Sequence, residues 1–248
     1  MDNNQLKRYS RHIMLPQMDY DGQQALLDAR VFILGAGGLG SPVAMYLASS
    51  GIGHIVISDF DHVEESNLQR QIIHTTADLS HPKVESAKQT MLALNPDLKV
   101  TTYPEKLTEQ QLEHEASQAN VVIDTTDNFE SRFLLNKICV KTKTPLVSGS
   151  VIRMEGQVSV FRADHNNSPC YHCLYKESGE LGETCTQNGV LAPVVGIIGS
   201  IQATEAIKII ANIGTDLCGR LLLLDAFTME WRTIKLPKDP QCLVCSAP

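Results

Sequence analysis

The sequence predicts an α/β protein: a Rossmann-like, doubly wound, mostly parallel sheet with an antiparallel C-terminal extension and a structural zinc site. Three observations carry this prediction. The apolar run Val31 to Leu34 passes straight into Gly35-Ala-Gly-Gly-Leu-Gly40. Strand-like and helix-like segments then alternate as far as residue 150. Two Cys-x-x-Cys pairs follow, Cys170/Cys173 and Cys242/Cys245.

Arg30–Leu34 reads as a buried strand, because a short apolar run closed by glycine suits a strand covered on both faces. Ser41–Ser50, apolar and alanine-containing, reads as a helix closed by Gly51, and Ile55–Ile57 as a second strand ending at Asp59. This is a βαβ unit. Helices follow at Pro82–Leu94, Gln110–Ala119 and Phe129–Lys141, interleaved with strands at Lys99–Thr102, Val121–Asp124 and Pro145–Val147. Past Ser150 the rhythm changes. Gln157–Phe161, Arg220–Leu224 and Glu230–Lys235 read as strands, the last two as an antiparallel hairpin turning at Ala226–Met229, with one long helix at Pro193–Asn212. Ala163–Thr186 is polar, rich in Gly, Ser and Asn, and without periodicity, so it reads as a loop. The chain, 1–248, reads as one domain with a nucleotide-binding half to about residue 150 and an elaborated half from 151 onward.

Composition narrows the function. The 248 residues carry 28 Asp plus Glu against 21 Lys plus Arg, a net charge of −7, which argues against a nucleic-acid partner needing a basic stripe. No apolar run reaches the roughly 18 residues of a membrane span. The nearest, Val194 to Ile213, is broken by Gln202, Glu205 and Lys208. Met1-Asp2-Asn3-Asn4-Gln5 has neither the basic flank nor the apolar stretch of a signal peptide, so the expected location is the cytoplasm. In that reducing compartment seven cysteines mean metal binding, catalysis or burial rather than disulfides.

Gly35-x-Gly37-x-x-Gly40 fits a dinucleotide-type fingerprint and sits where the mechanism needs it, after a strand and opening a helix. Its backbone N–H groups can approach phosphates, the helix N-terminus adds partial positive charge, and Asp59 is placed for ribose hydroxyls. Alone, the motif favours an NAD enzyme, or a tight turn that only packs helix on sheet. The segment after Asp59 argues otherwise. Asn67, Arg70 and Gln71, with Lys83 a dozen residues on, supply the amide, guanidinium and ammonium groups that a triphosphate requires as charge shifts during attack. The bland alternative is a polar helical turn and a solvated lysine. Asp127-Asn128 follows the strand Val121–Asp124 at the sheet's carboxyl edge, where a carboxylate can hold Mg²⁺ or orient a nucleophile, or simply cap the Phe129 helix.

The paired cysteines offer four thiolates, which suit tetrahedral zinc. Four cysteines leave no open position, so the expected zinc is structural, stapling the C-terminal tail to the domain. A redox Cys-x-x-Cys is the rival. Cys139 lies in an apolar helix and reads as core, and Cys218 has no partner visible in sequence. Cys185, in Thr184-Cys-Thr186, is a candidate reactive thiol or an inert surface cysteine.

Taken together, Arg8-Tyr-Ser-Arg11, Gly35–Gly40, Asp59-Phe-Asp61, Ser66-Asn-Leu-Gln-Arg-Gln71, Pro82-Lys83, Asp124-Thr-Thr-Asp-Asn128 and the two cysteine pairs resemble the bacterial HesA/MoeB/ThiF family, relatives of ubiquitin-activating enzymes, over essentially the whole chain. The resemblance implies an ATP-dependent adenylyltransferase. Its partner is a small β-grasp sulfur-carrier protein ending in Gly-Gly, whose terminal carboxylate attacks the α-phosphate to give an acyl-adenylate and pyrophosphate. A separate sulfur-donor protein later converts the adenylate to a thiocarboxylate. It also implies a nucleotide bound by Gly35, Gly37, Gly38, Gly40 and Asp59, by Ser66, Asn67, Leu68, Gln69 and Arg70, and by Lys83, Asp127 and Asn128. Asp127 corresponds to the essential acid near Mg²⁺, and Arg11 to an arginine acting in the neighbouring subunit of a homodimer. Cys170, Cys173, Cys242 and Cys245 correspond to zinc ligands, Cys185 to a loop cysteine that some members join to the carrier, and the half from 151 onward to the carrier-binding and zinc half.

Arg153-Met-Glu-Gly-Gln157, Thr184-Cys185 and Gly189-Val-Leu-Ala-Pro193 look more like the molybdopterin branch than the thiazole branch of thiamine biosynthesis. An NAD-dependent dehydrogenase and a non-catalytic, nucleotide-gated scaffold are the competing readings.

Overall fold

The computed structural model describes residues 1–176 and 189–246. Three helices, α1 (Asn3–Arg8), α2 (Ser10–Ile13) and α3 (Asp19–Asp28), precede the first strand and have no counterpart in the sequence reading. Then come β1 (Arg30–Leu34), α4 (Gly40–Ser50), β2 (His54–Ser58), the single turn α5 (Glu65–Leu68), α6 (Lys83–Leu94), β3 (Lys99–Tyr103), α7 (Glu109–Gln118), β4 (Val121–Asp124) and α8 (Phe129–Thr142). The second half contributes β5 (Leu146–Ile152), β6 (Glu155–Phe161), α9 (Tyr171–Leu174), α10 (Ala192–Ala211), β7 (Arg220–Asp225) and β8 (Glu230–Lys235). The stretch read as a loop over 163–186 therefore holds a helical turn among its described residues, and its residues from 177 lie outside the described part.

Among the described residues, eight strands form one sheet in the order β3-β2-β1-β4-β5-β6-β7-β8. The first five run parallel and β5 to β8 antiparallel, which is the predicted architecture. Alternate residues of the central strands serve two different cores, as a pleat requires. Val31, Ile33, Ile55, Ile57, Val121 and Ile123 pack with α3, α4, α6 and α10, while Phe32, Val56 and Val122 face α7 and α8. Burial on both faces is why these strands read as continuous apolar runs.

Strand order reverses between β1 and β4, and Leu34 pairs with both Ser58 and Asp124, so the carboxyl ends of β1, β2 and β4 lie side by side. Open α/β sheets bind ligands in the crevice at such a switch point. Helix ends follow local rules. Asn128 caps α8 by accepting from the Ser131 N–H at 2.9 Å, and α4 ends on Gly51 with φ +91°. A Cβ at Gly51 would lie 2.7 Å from the Tyr9 ring, so that glycine also admits the N-terminal helices. Tyr9 is held there by the Asn95 amide, which donates to its hydroxyl at 3.1 Å.

By length and composition α10 is apolar enough to cross a membrane, yet it packs on the sheet. Gln202 is fully buried and donates to the Asp124 carbonyl at 2.7 Å; buried Glu205 accepts from the Leu217 N–H at 2.8 Å and pairs with Lys208. The polar residues that interrupt its sequence are internal connections of the core.

Candidate active site and metal centre

The glycine turn is shaped from below by Thr125, whose hydroxyl lies 2.8 Å from the carbonyls of both Leu34 and Gly35. Gly35 has φ +107°, a conformation only glycine adopts cheaply. A Cβ at Gly40 would sit 2.2 Å from the Gly35 carbonyl oxygen, so Gly40 lets helix approach strand and does not itself line the cleft. Gly35, Gly37 and Gly38 do line it, as do Asp59, Arg70, Lys83, Asp127 and Asn128.

Asp59 is half-buried at the end of β2. Its carboxylate accepts the Ala36 N–H at 2.7 Å and the Asp61 N–H at 2.9 Å. Burial raises its pKa, against the pull of Lys83 and those two N–H groups. Lys83 is not the solvated lysine of the bland reading. It is 4% exposed and paired with Asp61 at 2.8 Å, a fixed positive charge at the first residue of α6. Arg70 reaches the cleft while Asn67 accepts from its guanidinium at 2.9 Å and the Ser66 carbonyl at 3.2 Å. Ser66 and Asn67 thus brace Arg70, and neither they nor Leu68 and Gln69 appear among the described residues lining the cleft.

Asp127 is exposed just past β4. The alternative that it caps α8 is corrected by the geometry, since Asn128 does so, leaving the Asp127 carboxylate directed at the cleft with the Asn128 amide 3.4 Å away. Beneath it lies a network that sequence reading missed. Asp124, 1% exposed, accepts from the Thr126 N–H at 3.0 Å, its hydroxyl at 2.7 Å and the Ser148 hydroxyl at 2.8 Å. Arg132 stands 3.9 Å from the same carboxylate and donates to the Thr126 carbonyl at 2.6 Å. The available signal was a carboxylate closing an apolar strand and an arginine one turn into the next helix.

A second cleft opens from the first. Asp127, Arg132 and Val151 line both, and the second continues along β5 to β8 past Phe129, Gly156, Gln157, Tyr175 and Leu223 to the charged residues Asp225, Glu230 and Arg232. Arg11 is exposed near the N-terminus and does not line the cleft of its own chain.

The four paired cysteines converge. Their sulfurs lie within 4.8 Å of one another, with Cys170 to Cys242 at 3.6 Å and Cys173 to Cys245 at 3.5 Å. A tetrahedral zinc with Zn–S near 2.3 Å calls for sulfurs about 3.8 Å apart, so the donor set fits zinc. Backbone and amide N–H groups surround it: Asn136 donates to Cys170 at 3.6 Å and the Asp239 N–H to Cys173 at 3.4 Å. Tyr171, between the knuckle cysteines, packs edge-on against Phe133 and Phe161 with centroids 5.4 and 5.9 Å away, its hydroxyl pushed up to about 12 by burial. Cys139 is buried and its thiol pKa strongly raised, as a core residue's should be. Cys218 lies 3.3 Å from the Ser168 hydroxyl. Cys185 falls outside the described residues.

A glycine turn at the switch point, an acid at the end of β2 and cationic groups in the same cleft define a nucleotide-binding α/β enzyme. The ThiF family matches residues 9–244, and the chain belongs to that family. It is 44% identical to the molybdopterin-synthase adenylyltransferase of Escherichia coli strain K12 over 245 residues, covering 99% of this chain and 98% of that protein. It is 42% identical over 245 residues to the sulfur carrier protein ThiS adenylyltransferase of the same strain, covering 99% and 97%. The crystal structure of E. coli MccB with ATP superposes with a TM-score of 0.84 at 25% identity, covering 99% of this chain and 74% of that one. Adenylyl transfer is the chemistry shared with these relatives, in place of the hydride transfer that the glycine fingerprint alone favours.

Proposed function

We propose that the chain activates the C-terminal glycine carboxylate of a small β-grasp sulfur-carrier protein as an acyl-adenylate, and that the carrier is the small subunit of molybdopterin synthase. The observation that carries this reading is the junction of the two clefts at Asp127. One cleft has the groups to hold a nucleoside triphosphate. The other is long, partly apolar, and leads to the same point, as an extended peptide tail needs.

In this reading Asp59 takes the ribose, and the glycine turn, Arg70 and Lys83 take the phosphates, with Ser66 and Asn67 acting through Arg70. The tail enters along β5 to β8. Its terminal carboxylate oxygen forms a bond to the α-phosphorus while the bond to the bridging oxygen breaks, and pyrophosphate leaves with that electron pair. Fixed cations stabilise charge moving toward the leaving group without needing to reorganise. Mg²⁺, when bound with ATP at Asp127, supplies further neutralisation of the phosphates. The zinc at Cys170, Cys173, Cys242 and Cys245 is structural. The half to residue 150 holds the nucleotide and the half from 151 the carrier and the metal. A separate sulfur donor then acts on the adenylate in the cytoplasm.

ATP–pyrophosphate exchange with two purified carriers, one from each pathway and each ending in Gly-Gly, tests the proposal. Exchange with the molybdopterin carrier and its loss in Arg70→Ala are expected. Exchange with the thiazole carrier alone would move the chain to thiamine biosynthesis, the reading favoured by the ThiS relative at 42% identity. Exchange with neither, in protein that binds ATP, would overturn the chemistry.

The exposed position of Arg11, away from its own cleft, supports its use in trans within a homodimer. Inactive Arg11→Ala and Asp127→Ala proteins, mixed and allowed to exchange subunits, are then expected to regain activity approaching about a quarter of the parent value, since half the random dimers carry one intact site. No recovery from a demonstrated mixed dimer would show that Arg11 does not act in trans.

A further inference from the structure

His74 lies between α5 and α6, is 5% exposed, and has no role in the reading above. Its Nε2 is 3.0 Å from the Ala36 carbonyl oxygen and its Nδ1 is 2.8 Å from the Ser86 hydroxyl. A carbonyl only accepts, so Nε2 carries the proton. Burial lowers the basicity of the ring and Lys83 acts in the same direction, while the Ala36 carbonyl, Asp78 and Asp59 oppose them.

The consequence follows from peptide geometry. In a trans peptide the C=O and the next N–H point in opposite directions. In the peptide joining residues 35 and 36, Thr125 lies 2.8 Å from the Gly35 carbonyl and Asp59 accepts the Ala36 N–H at 2.7 Å. In the next, the Ala36 carbonyl is held by His74, which turns the Gly37 N–H the other way. In the third, Ser41 donates to the Gly37 carbonyl from its N–H at 2.9 Å and its hydroxyl at 2.7 Å, turning the Gly38 N–H likewise. Gly37 and Gly38 both line the cleft. Glycine makes rotation of a peptide cheap, and a rotated 36–37 peptide would present a carbonyl oxygen where phosphate oxygens belong.

We propose that His74 is a positioning residue of the nucleotide site: by holding the Ala36 carbonyl it aims the Gly37 N–H at the phosphates and ties the glycine turn to Ser86, one turn beyond Lys83 on α6. The proposal rests on the nucleotide reading but not on the identity of the carrier.

Calorimetric titration with ATP, without carrier, is the test. His74→Leu is expected to weaken ATP binding about tenfold, the loss of a hydrogen bond and of the orientation it fixes. His74→Gln, whose amide can reach Ala36, should recover most of it. His74→Asn, whose shorter amide serves the Ser86 side, should resemble Leu. In pyrophosphate exchange the KM for ATP should rise in the weakened variants while kcat at saturating ATP stays near the parent value. A folded His74→Leu protein with parental affinity would overturn the proposal. Where Leu fails to fold, equal affinities for the Gln and Asn variants would do so. Normal ATP titration with no exchange on any carrier would count against the carrier reading alone, and a parent that binds no ATP would remove the nucleotide reading with it.

Discussion

Asp127→Ala is expected to lose ATP–pyrophosphate exchange by about 10²–10³-fold or more, the usual cost of deleting one group that acts on charge developing in the transition state. Its stability should stay within about 0.5 kcal/mol of the parent, because Asp127 is exposed and Asn128, not Asp127, caps α8. ATP binding should weaken much less than exchange, since the glycine turn, Arg70 and Lys83 remain. The combination separates a role in the reaction from a role in the fold. Exchange at the parental rate would remove Asp127 from the mechanism. A large drop in melting temperature would show that the 124–128 loop needs its carboxylate to fold, contrary to the geometry, in which Asp124 and Arg132 hold that loop from beneath.

Cys242→Ser is expected to abolish stoichiometric zinc and to lower stability substantially. Structural zinc binds isolated finger peptides with about 10–16 kcal/mol, and metal binding there is folding. Here the sheet folds around its own core, so a smaller share is at stake. Loss of about 4 kcal/mol would lower the melting temperature by roughly 8–16 °C in a chain of this size. The effect should spread unevenly. The rings of Tyr171 and Tyr175, next to the knuckle, pack at a 41° tilt with centroids 5.2 Å apart, and the Tyr175 hydroxyl donates to Gln157 at 2.9 Å on the wall of the second cleft. The KM for carrier should therefore rise while the affinity for ATP holds. Metal analysis, thermal melting and ATP titration on one preparation read all three. Unchanged zinc content would defeat the assignment, and parental stability without zinc would make the site something other than a staple.

How much was readable before folding differed from element to element. Strands β1, β2 and β4 were legible because each is a short apolar run ended by glycine or a carboxylate. The glycine turn was legible because its restrictions are local: a positive φ at Gly35 and a close backbone approach at Gly40. Lys83 was legible as a candidate and misread in its bland form, since burial of a lysine depends on Asp61 and the cleft wall, not on its neighbours in sequence. Helices α1 to α3 were not legible. Their polar pattern resembles a surface tail, and what holds them is distant contact such as Tyr9 with Asn95. His74 was passed over for the same reason, because its partners lie in the glycine turn and on α6. Asp124 was read only as a strand end and part of the 124–128 motif, and its contact with Ser148 and the approach of Arg132 appear only in the folded chain.

What the sequence determined by itself was the α/β class, the order of the main strands and helices from β1 onward, the nucleotide fingerprint and the pairing of four cysteines by type and spacing. These depend on period, turn chemistry and side-chain identity, which act over a few residues. Tertiary structure alone decided that the four sulfurs meet within one metal's reach, that two clefts join at Asp127, and that the Gly35 and Ala36 carbonyls are met by Thr125 and His74. Each of those requires groups tens of residues apart to arrive within a few ångströms, and only closing the sheet, with its reversal between β1 and β4, brings them there.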